Sequence, residues 1–385
     1  MKPTNDVFSG FGMTVFEVMS RLAMEHNTVN LGQGFPDDNG PADVRAKAAE
    51  ALEDRPNQYP PMMGVPELRQ ALATHAKRFY DLDVDWRTET MVTSGATEAL
   101  AACVLVWISR GGEVVLMEPL YDCYYPMVMR AGATPRLVQV KPPHWELPRC
   151  ELAAAFNDRT KMILLNDPMN PSGKVFTRDE LSFIAELCVE HDCYAVCDEA
   201  YEHLLYDGRE HLPLITFPGM RGRAIKIGSA GKTFSLTGWK VGYLTAAAET
   251  LKAVSKAHQF LTFTTAPNLQ RAAAYGLEKE DSYFEELAGG LQERRDFVSR
   301  GLNDIGFDVV DCHGTYFINA DFRRLGFNGG DEEFCRYITV EAGVTAVPVS
   351  AFYPSGAVNY LARFCFSKQW PVLEEAIDRL KTHFG

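Results

Sequence analysis

Lys232 is the residue of this chain best placed for covalent chemistry. It lies in Ser229-Ala-Gly-Lys-Thr-Phe-Ser-Leu-Thr-Gly-Trp-Lys-Val-Gly242, among small side chains, with Ser229 just before it and Lys240 just after. A primary amine can form a Schiff base with an aldehyde, and a neighbouring cation lowers its pKa so that the free amine is available. Ser229 and Lys240 suit a phosphate carried by the same aldehyde. Residues 224–228 read as a short strand, which puts Lys232 on the loop leaving it. Gly231-Lys232-Thr233 also looks like the end of a nucleotide-phosphate loop, but that motif needs glycine where Lys226 stands.

Other reactive side chains fall at the ends of apolar runs. Met91-Val-Thr-Ser-Gly-Ala-Thr97 is a strand, a small-residue turn and a helix start. Exposed amides and the helix dipole at such a start attract anions, so Gly95, Ala96 and Thr97 are candidates to hold a phosphate. The run 114–117 delivers Tyr121, the run 161–165 ends in Asn166-Asp-Pro-Met-Asn170, and the run 194–197 ends in Asp198-Glu-Ala-Tyr201. Short buried strands alternate with helices at 65–80, 97–109, 151–156 and 178–190. That alternation predicts an α/β fold, a mostly parallel sheet with helices on both faces. Ligands of such sheets bind beyond the carboxyl ends of the strands, so these side chains converge on one pocket. From about residue 254 the pattern turns helical, with a long amphipathic stretch at 283–302. Short strands at 307–310, 316–319 and 359–367 and a closing helix at 371–384 predict a smaller α+β domain.

One cofactor fits that set. Asp198 can pair with a protonated pyridine nitrogen and keep the ring an electron sink. Asn170 and Tyr201 can hydrogen-bond a phenolate oxygen, Tyr121 can stack on the ring, and Lys232 can carry the aldehyde carbon. Gly95, Ala96, Thr97, Ser229 and Lys240 surround the phosphate of pyridoxal 5′-phosphate.

The chain resembles a class I/II, fold-type I pyridoxal-phosphate aminotransferase. Asn166-x-Pro-x-Asn-Pro-x-Gly173, Asp198-x-x-Tyr201 and Ser229-x-x-Lys232 followed by Lys240 are that family's hallmarks in its order. The stretches 30–37, 57–64, 118–124 and 229–242 are most similar to kynurenine/glutamine and methionine aminotransferases, a branch that includes cysteine-conjugate β-lyases. The resemblance implies an amino-group transfer from an L-amino acid to a 2-oxo acid, with a β-lyase as the alternative. It implies that Asn166 lies near the cofactor and that Tyr59 reaches the phosphate in the neighbouring subunit of a homodimer. It further implies that Arg363 and Gly34 hold the substrate α-carboxylate and that Phe11 and Phe16 line the side-chain pocket. In the division it implies, residues 1–40 form an arm and part of a small domain, 41–280 the large cofactor-binding domain and 281–385 the small C-terminal domain. The branch often has an aromatic residue at Thr97 and phenylalanine at Tyr121. With no second arginine evident for a side-chain carboxylate, neutral donors, aromatic or sulfur-containing, are expected.

Bulk properties agree. The 385 residues carry a formal charge of −13, and no basic face emerges to neutralise nucleic-acid phosphates. Nine cysteines show no metal-ligand spacing and read as buried thiols of a reducing cytoplasm, so no metal is expected. No signal peptide and no membrane-spanning run is visible.

Overall fold

The computed structural model describes residues 2, 4–10 and 12–385, so Phe11, expected to line the side-chain pocket, lies outside the described residues. Its central element is a seven-stranded sheet. In chain order the strands are β1 (Thr90–Ser94), β2 (Glu113–Glu118), β3 (Thr134–Gln139), β4 (Thr160–Asn166), β5 (Tyr194–Asp198), β6 (Ala224–Ser229) and β7 (Val241–Thr245). Their spatial order is β1-β7-β6-β5-β4-β2-β3. Strands β2 to β6 run parallel, whereas β7 lies antiparallel between β1 and β6.

The strand sequences explain why the sheet is covered on both sides. Side chains alternate across a strand, yet here both alternating sets are apolar. Val115, Met117, Ile163, Leu165, Ala195 and Cys197 enter one core. Val114, Leu116, Met162, Leu164, Val196 and Ile227 enter another on the opposite face. A sheet with two apolar faces must be packed with helices on each, as parallel sheets are.

The helix Arg178–Glu190 has the bounds its sequence predicts. Thr177 accepts from the Glu180 N–H at 3.2 Å, and the Glu180 carboxylate accepts from the Thr177 N–H at 2.9 Å. This reciprocal capping satisfies two amides that the first turn leaves without partners. The strand β7, the helix Ala42–Asp54 and the helix start at Ala248 were not anticipated. The second of these carries only Val44, Ala48 and Ala51 on its buried side, an apolar stripe too thin to stand out.

A second sheet is antiparallel. It contains Val347–Pro348, β8 (Leu361–Cys365), Phe317–Asp321 and Asp308–Val309, in that spatial order. Ala362 and Phe364 join Phe307, Phe334, Leu373 and Leu380 in a core with Met19, Val29 and Leu31 from the N-terminal segment. Val29–Asn30 also pairs in parallel with Val344–Thr345, so the first turns of the chain are held by its last third. Among the described residues, no helix is long and apolar enough to cross a membrane.

Candidate active site

The carboxyl ends of β1, β4, β5 and β6 open on a cavity of about 380 Å³. The inserted strand β7 explains the grouping. Gly242 pairs with Ser229 on one side and Thr93 on the other. Because β7 runs opposite to its neighbours, its beginning lies at their carboxyl ends. Lys240 therefore stands beside Ser229 and Gly95. A Cβ on Gly242 would lie 2.3 Å from the Gly95 carbonyl carbon, so only glycine admits this approach. Gly95 itself has φ +76°, and a Cβ there would sit 3.4 Å from Lys240 Nζ. Gly95, Ala96 and Thr97 open the helix Gly95–Trp107, whose positive end faces the cavity. With Ser229 and Lys240 they make an anion cradle.

Lys232 lines the same cavity. It sits in the single helical turn Ala230–Thr233 and not in an open loop, which corrects the sequence expectation. The turn forms because Phe234 donates back to the Ala230 carbonyl at 3.0 Å and Leu236 to Gly231 at 3.0 Å. Burial pulls the Lys232 ammonium down to about 8, against the Asp198 carboxylate and with help from Arg363 and Lys240. Its Nζ donates to the Tyr316 hydroxyl at 2.9 Å.

Asp198 ends β5 and is buried, which raises its carboxyl above the ordinary range. It accepts from the Tyr124 hydroxyl at 2.7 Å and the Ala200 N–H at 3.2 Å. Tyr124 is a contact that sequence reasoning missed; its only signal was a position inside the 118–124 stretch. Asn166 donates to the Asp198 carbonyl at 2.8 Å and accepts from the Asn170 N–H at 2.7 Å. Tyr201 is buried and Tyr121 partly so, and both line the cavity.

Residues alternate with Asp198 and Tyr201 to face the other way. Glu202 meets Lys226 at 2.5 Å and the Tyr243 hydroxyl at 3.1 Å. Burial alone would raise the Glu202 carboxyl, yet Lys226 holds it well below the usual range. His75 and His203 share a 2.7 Å contact between their Nε2 atoms, and with Glu202 they form the one cluster among the described residues whose ligand atoms could gather round a metal. That set is already consumed by its own hydrogen bonds.

Arg363, on β8, is 1% exposed. Its Nη1 donates to Asn170 Oδ1 at 3.1 Å and its Nη2 to the Gly32 carbonyl at 3.3 Å, while its Nε has no partner. Its guanidinium lies 4.0 Å from the Phe317 ring centre, 4.8 Å from Phe352 and 5.3 Å from Phe16. Burial lowers its pKa to about 10. No carboxylate among the described residues pairs with it. The Asp122 carboxylate acts on it only at a distance, outside ion-pair contact. A buried cation with no carboxylate in contact is costly, so an arriving anion is strongly favoured there. Gly34 adjoins it; a Cβ on Gly34 would sit 3.7 Å from Arg363 Nη2.

Among the described residues, every site residue expected from the sequence lines this one cavity except Tyr59, which is 83% exposed and packs edge-on against Phe263. A set of groups able to cradle a phosphate, a buried carboxylate and a lysine of lowered pKa in one cavity suit a phosphorylated pyridine aldehyde. The observation that tests this is the Asp198 carboxylate, which is buried and accepts only two hydrogen bonds from neutral donors.

Fold and site together define a cofactor-dependent enzyme of amino-acid chemistry. The family model for aminotransferases of classes I and II matches residues 26–380, and the chain belongs to that family. It is a pyridoxal-phosphate-dependent aminotransferase. It is 36% identical over 370 residues to methionine aminotransferase of Escherichia coli, with 96% of each chain covered. It is 37% identical over 401 residues to human kynurenine–oxoglutarate transaminase 3, covering 97% of this chain and 88% of the relative. The solved structure of N-succinyldiaminopimelate aminotransferase from Mycobacterium tuberculosis superposes with a TM-score of 0.96 at 42% identity, covering 99% of this chain and 100% of that one.

Proposed function

We propose that this aminotransferase takes neutral L-amino acids, aromatic or sulfur-containing, as donors, with Lys232 as its base and Arg363 as its carboxylate clamp. The observation that carries the reading is the buried Arg363 guanidinium, without a carboxylate partner, in the cavity that Lys232 also lines. Arg363 grips the α-carboxylate through its two terminal nitrogens, with Gly34 against the same group. That grip places the α-carbon before Lys232, which removes the α-proton as a neutral amine. When bound, pyridoxal phosphate supplies a ring that draws electrons away from that carbon. Asp198 would hold a proton at its ring nitrogen, and Asn170 and Tyr201 would hydrogen-bond its ring oxygen. Asn166 orients Asn170, and Tyr121 would pack against the ring. Gly95, Ala96, Thr97, Ser229 and Lys240 would bind its phosphate. The donor leaves as a 2-oxo acid before a second 2-oxo acid collects the amino group, a ping-pong order.

The donor class rests on charge. Phe16, Phe35, Leu100 and Phe317 give the cavity an apolar side, and no guanidinium other than that of Arg363 lines it. Asp122 lines it too and would repel an acidic side chain. The names of the methionine and kynurenine relatives support the same class. The test is the visible spectrum of the purified holoenzyme after methionine, kynurenine, glutamine or aspartate is added separately. Methionine or kynurenine is expected to convert the cofactor band with release of the matching 2-oxo acid. Fastest conversion by aspartate would overturn the donor class. Pyruvate and ammonia from a cysteine S-conjugate, with the band unchanged, would overturn transamination of that substrate in favour of β-elimination.

The active unit we propose is a homodimer in which Tyr59 reaches the partner's phosphate. Its high exposure supports this, as does its absence from its own cavity lining, and Phe260 nearby in sequence to Phe263 is 89% exposed. The division into a large domain, 41–280, and a small one built from 1–40 and 281–385 is supported by the shared core of Met19, Val29 and Leu31 with Leu291 to Leu380. The nine free cysteines, seven of them buried, support a cytoplasmic setting.

A further inference from the structure

Tyr316 holds a position that the reading above leaves without a task. Its hydroxyl donates to the Gly34 carbonyl at 2.9 Å and accepts from Lys232 Nζ at 2.9 Å. The ring is buried, edge-on to Tyr201 with centres 5.3 Å apart. Burial keeps its phenol well above the ordinary range, so it acts as a hydroxyl and not as a phenolate. Lys232 borders two spaces, the main cavity and a small one of about 50 Å³ behind it, and Tyr316 lines the second.

The direction of these two hydrogen bonds matters. A hydroxyl has one proton, and that of Tyr316 is committed to Gly34. It can therefore only accept from the amine. A neutral amine that gives one N–H to Tyr316 keeps its lone pair for the substrate, whereas a donor at that position would occupy the lone pair and block the base. We propose that Tyr316 is a positioning residue for the released Lys232 amine, aiming its lone pair at the α-proton and tying it to the Gly34 segment beside Arg363. The inference rests on Lys232 being the base.

Tyr316→Phe removes the acceptor and keeps the ring. In the holoenzyme, single turnover with a donor is expected to slow roughly tenfold or more, since misalignment of a base costs rate, while KM changes by less than about twofold. Deuterium at the donor α-carbon is expected to slow the variant more than the parent, because proton transfer becomes more limiting. A second readout needs no turnover. In cofactor-free protein, the pH midpoint of Lys232 acylation, followed by peptide mass spectrometry, is expected to fall, since the ammonium loses an acceptor. Asp198, Lys240, Arg363 and Cys365 also act on that amine, the Tyr201 ring lies under it, and all are unchanged in the variant. So are Asp38, Arg294 and Lys368 around the space behind it. If Tyr316→Phe does not fold, 4-aminophenylalanine at position 316 keeps the donor to Gly34, weakens the acceptor, and is expected to give the same changes. Parent-like turnover, isotope effect and midpoint, or a raised KM with unchanged kcat, would overturn the proposal. If Lys232→Ala is inactive while Tyr316→Phe behaves as the parent, only the role of Tyr316 falls. Activity in Lys232→Ala would remove the base reading itself.

Discussion

An amine and a guanidinium, each stripped of much of its water, set the chemistry of this cavity. Lys232 at about 8 is partly neutral near physiological pH, whereas an ordinary lysine is almost wholly charged. Its folded-state pKa lies below its usual one, so the neutral form is populated above about 8 and lost as pH falls through that value. Recapture of pyridoxal phosphate by cofactor-free enzyme should therefore accelerate from pH 7 to 9; a flat profile would argue against a depressed amine. Lys232→Ala should lower turnover by at least ~10²-fold, the range for loss of a general base, measured as 2-oxo acid released per enzyme. Arg363→Lys keeps the charge and loses the fork. It should raise KM for the donor by about 10- to 100-fold, the loss expected for a charged hydrogen bond, and a KM near that of the parent would place the α-carboxylate elsewhere.

At the scale of elements, the strand β7 and the turn after β1 stand or fall together. The close approach of Gly242 to Gly95 holds this turn, the proposed phosphate cradle, against Ser229 and Lys240. Gly242→Ala should push this turn away, and overpacking of this kind costs about 1–3 kcal/mol. The expected result is weaker cofactor binding by equilibrium dialysis and a lower melting temperature; unchanged cofactor affinity would show that the cradle tolerates displacement. The predicted strands and helices from 91 to 198 match the observed ones to within a few residues because the strands are short apolar runs and the helix Arg178–Glu190 is capped. The strand β7 escaped notice because Val241-Gly-Tyr-Leu-Thr245 follows a glycine-rich turn with too little length to declare itself. Tyr124 and Tyr316 escaped for a different reason. Their partners, Asp198 and Lys232, lie far off in sequence, and a single tyrosine in a loop or strand carries no spacing signal.

For the molecule as a whole, the proposed dimer makes a test that neither subunit alone can pass. Tyr59→Phe should weaken cofactor binding, and Lys232→Ala should be inactive. Co-refolding Lys232→Ala with Tyr59→Phe should yield mixed dimers in which one site has both changes and the other has neither. Recovery of parental cofactor affinity in up to about half the sites of those mixed dimers would match the isologous pairing of a two-fold interface, whereas no recovery would confine Tyr59 to its own subunit. The sequence alone determined the cofactor and the alternation of strand and helix, and it singled out Lys232 as the candidate reacting amine, because these depend on residue type and local pattern. The tertiary structure decided what depends on distant segments meeting. It turned β7 antiparallel so that Lys240 joins the carboxyl ends of its neighbours, left Arg363 buried with no carboxylate in contact, and brought Tyr316 and Gly34 to Lys232 from opposite ends of the chain. No local spacing encodes such meetings, since they are settled by which apolar faces pack together.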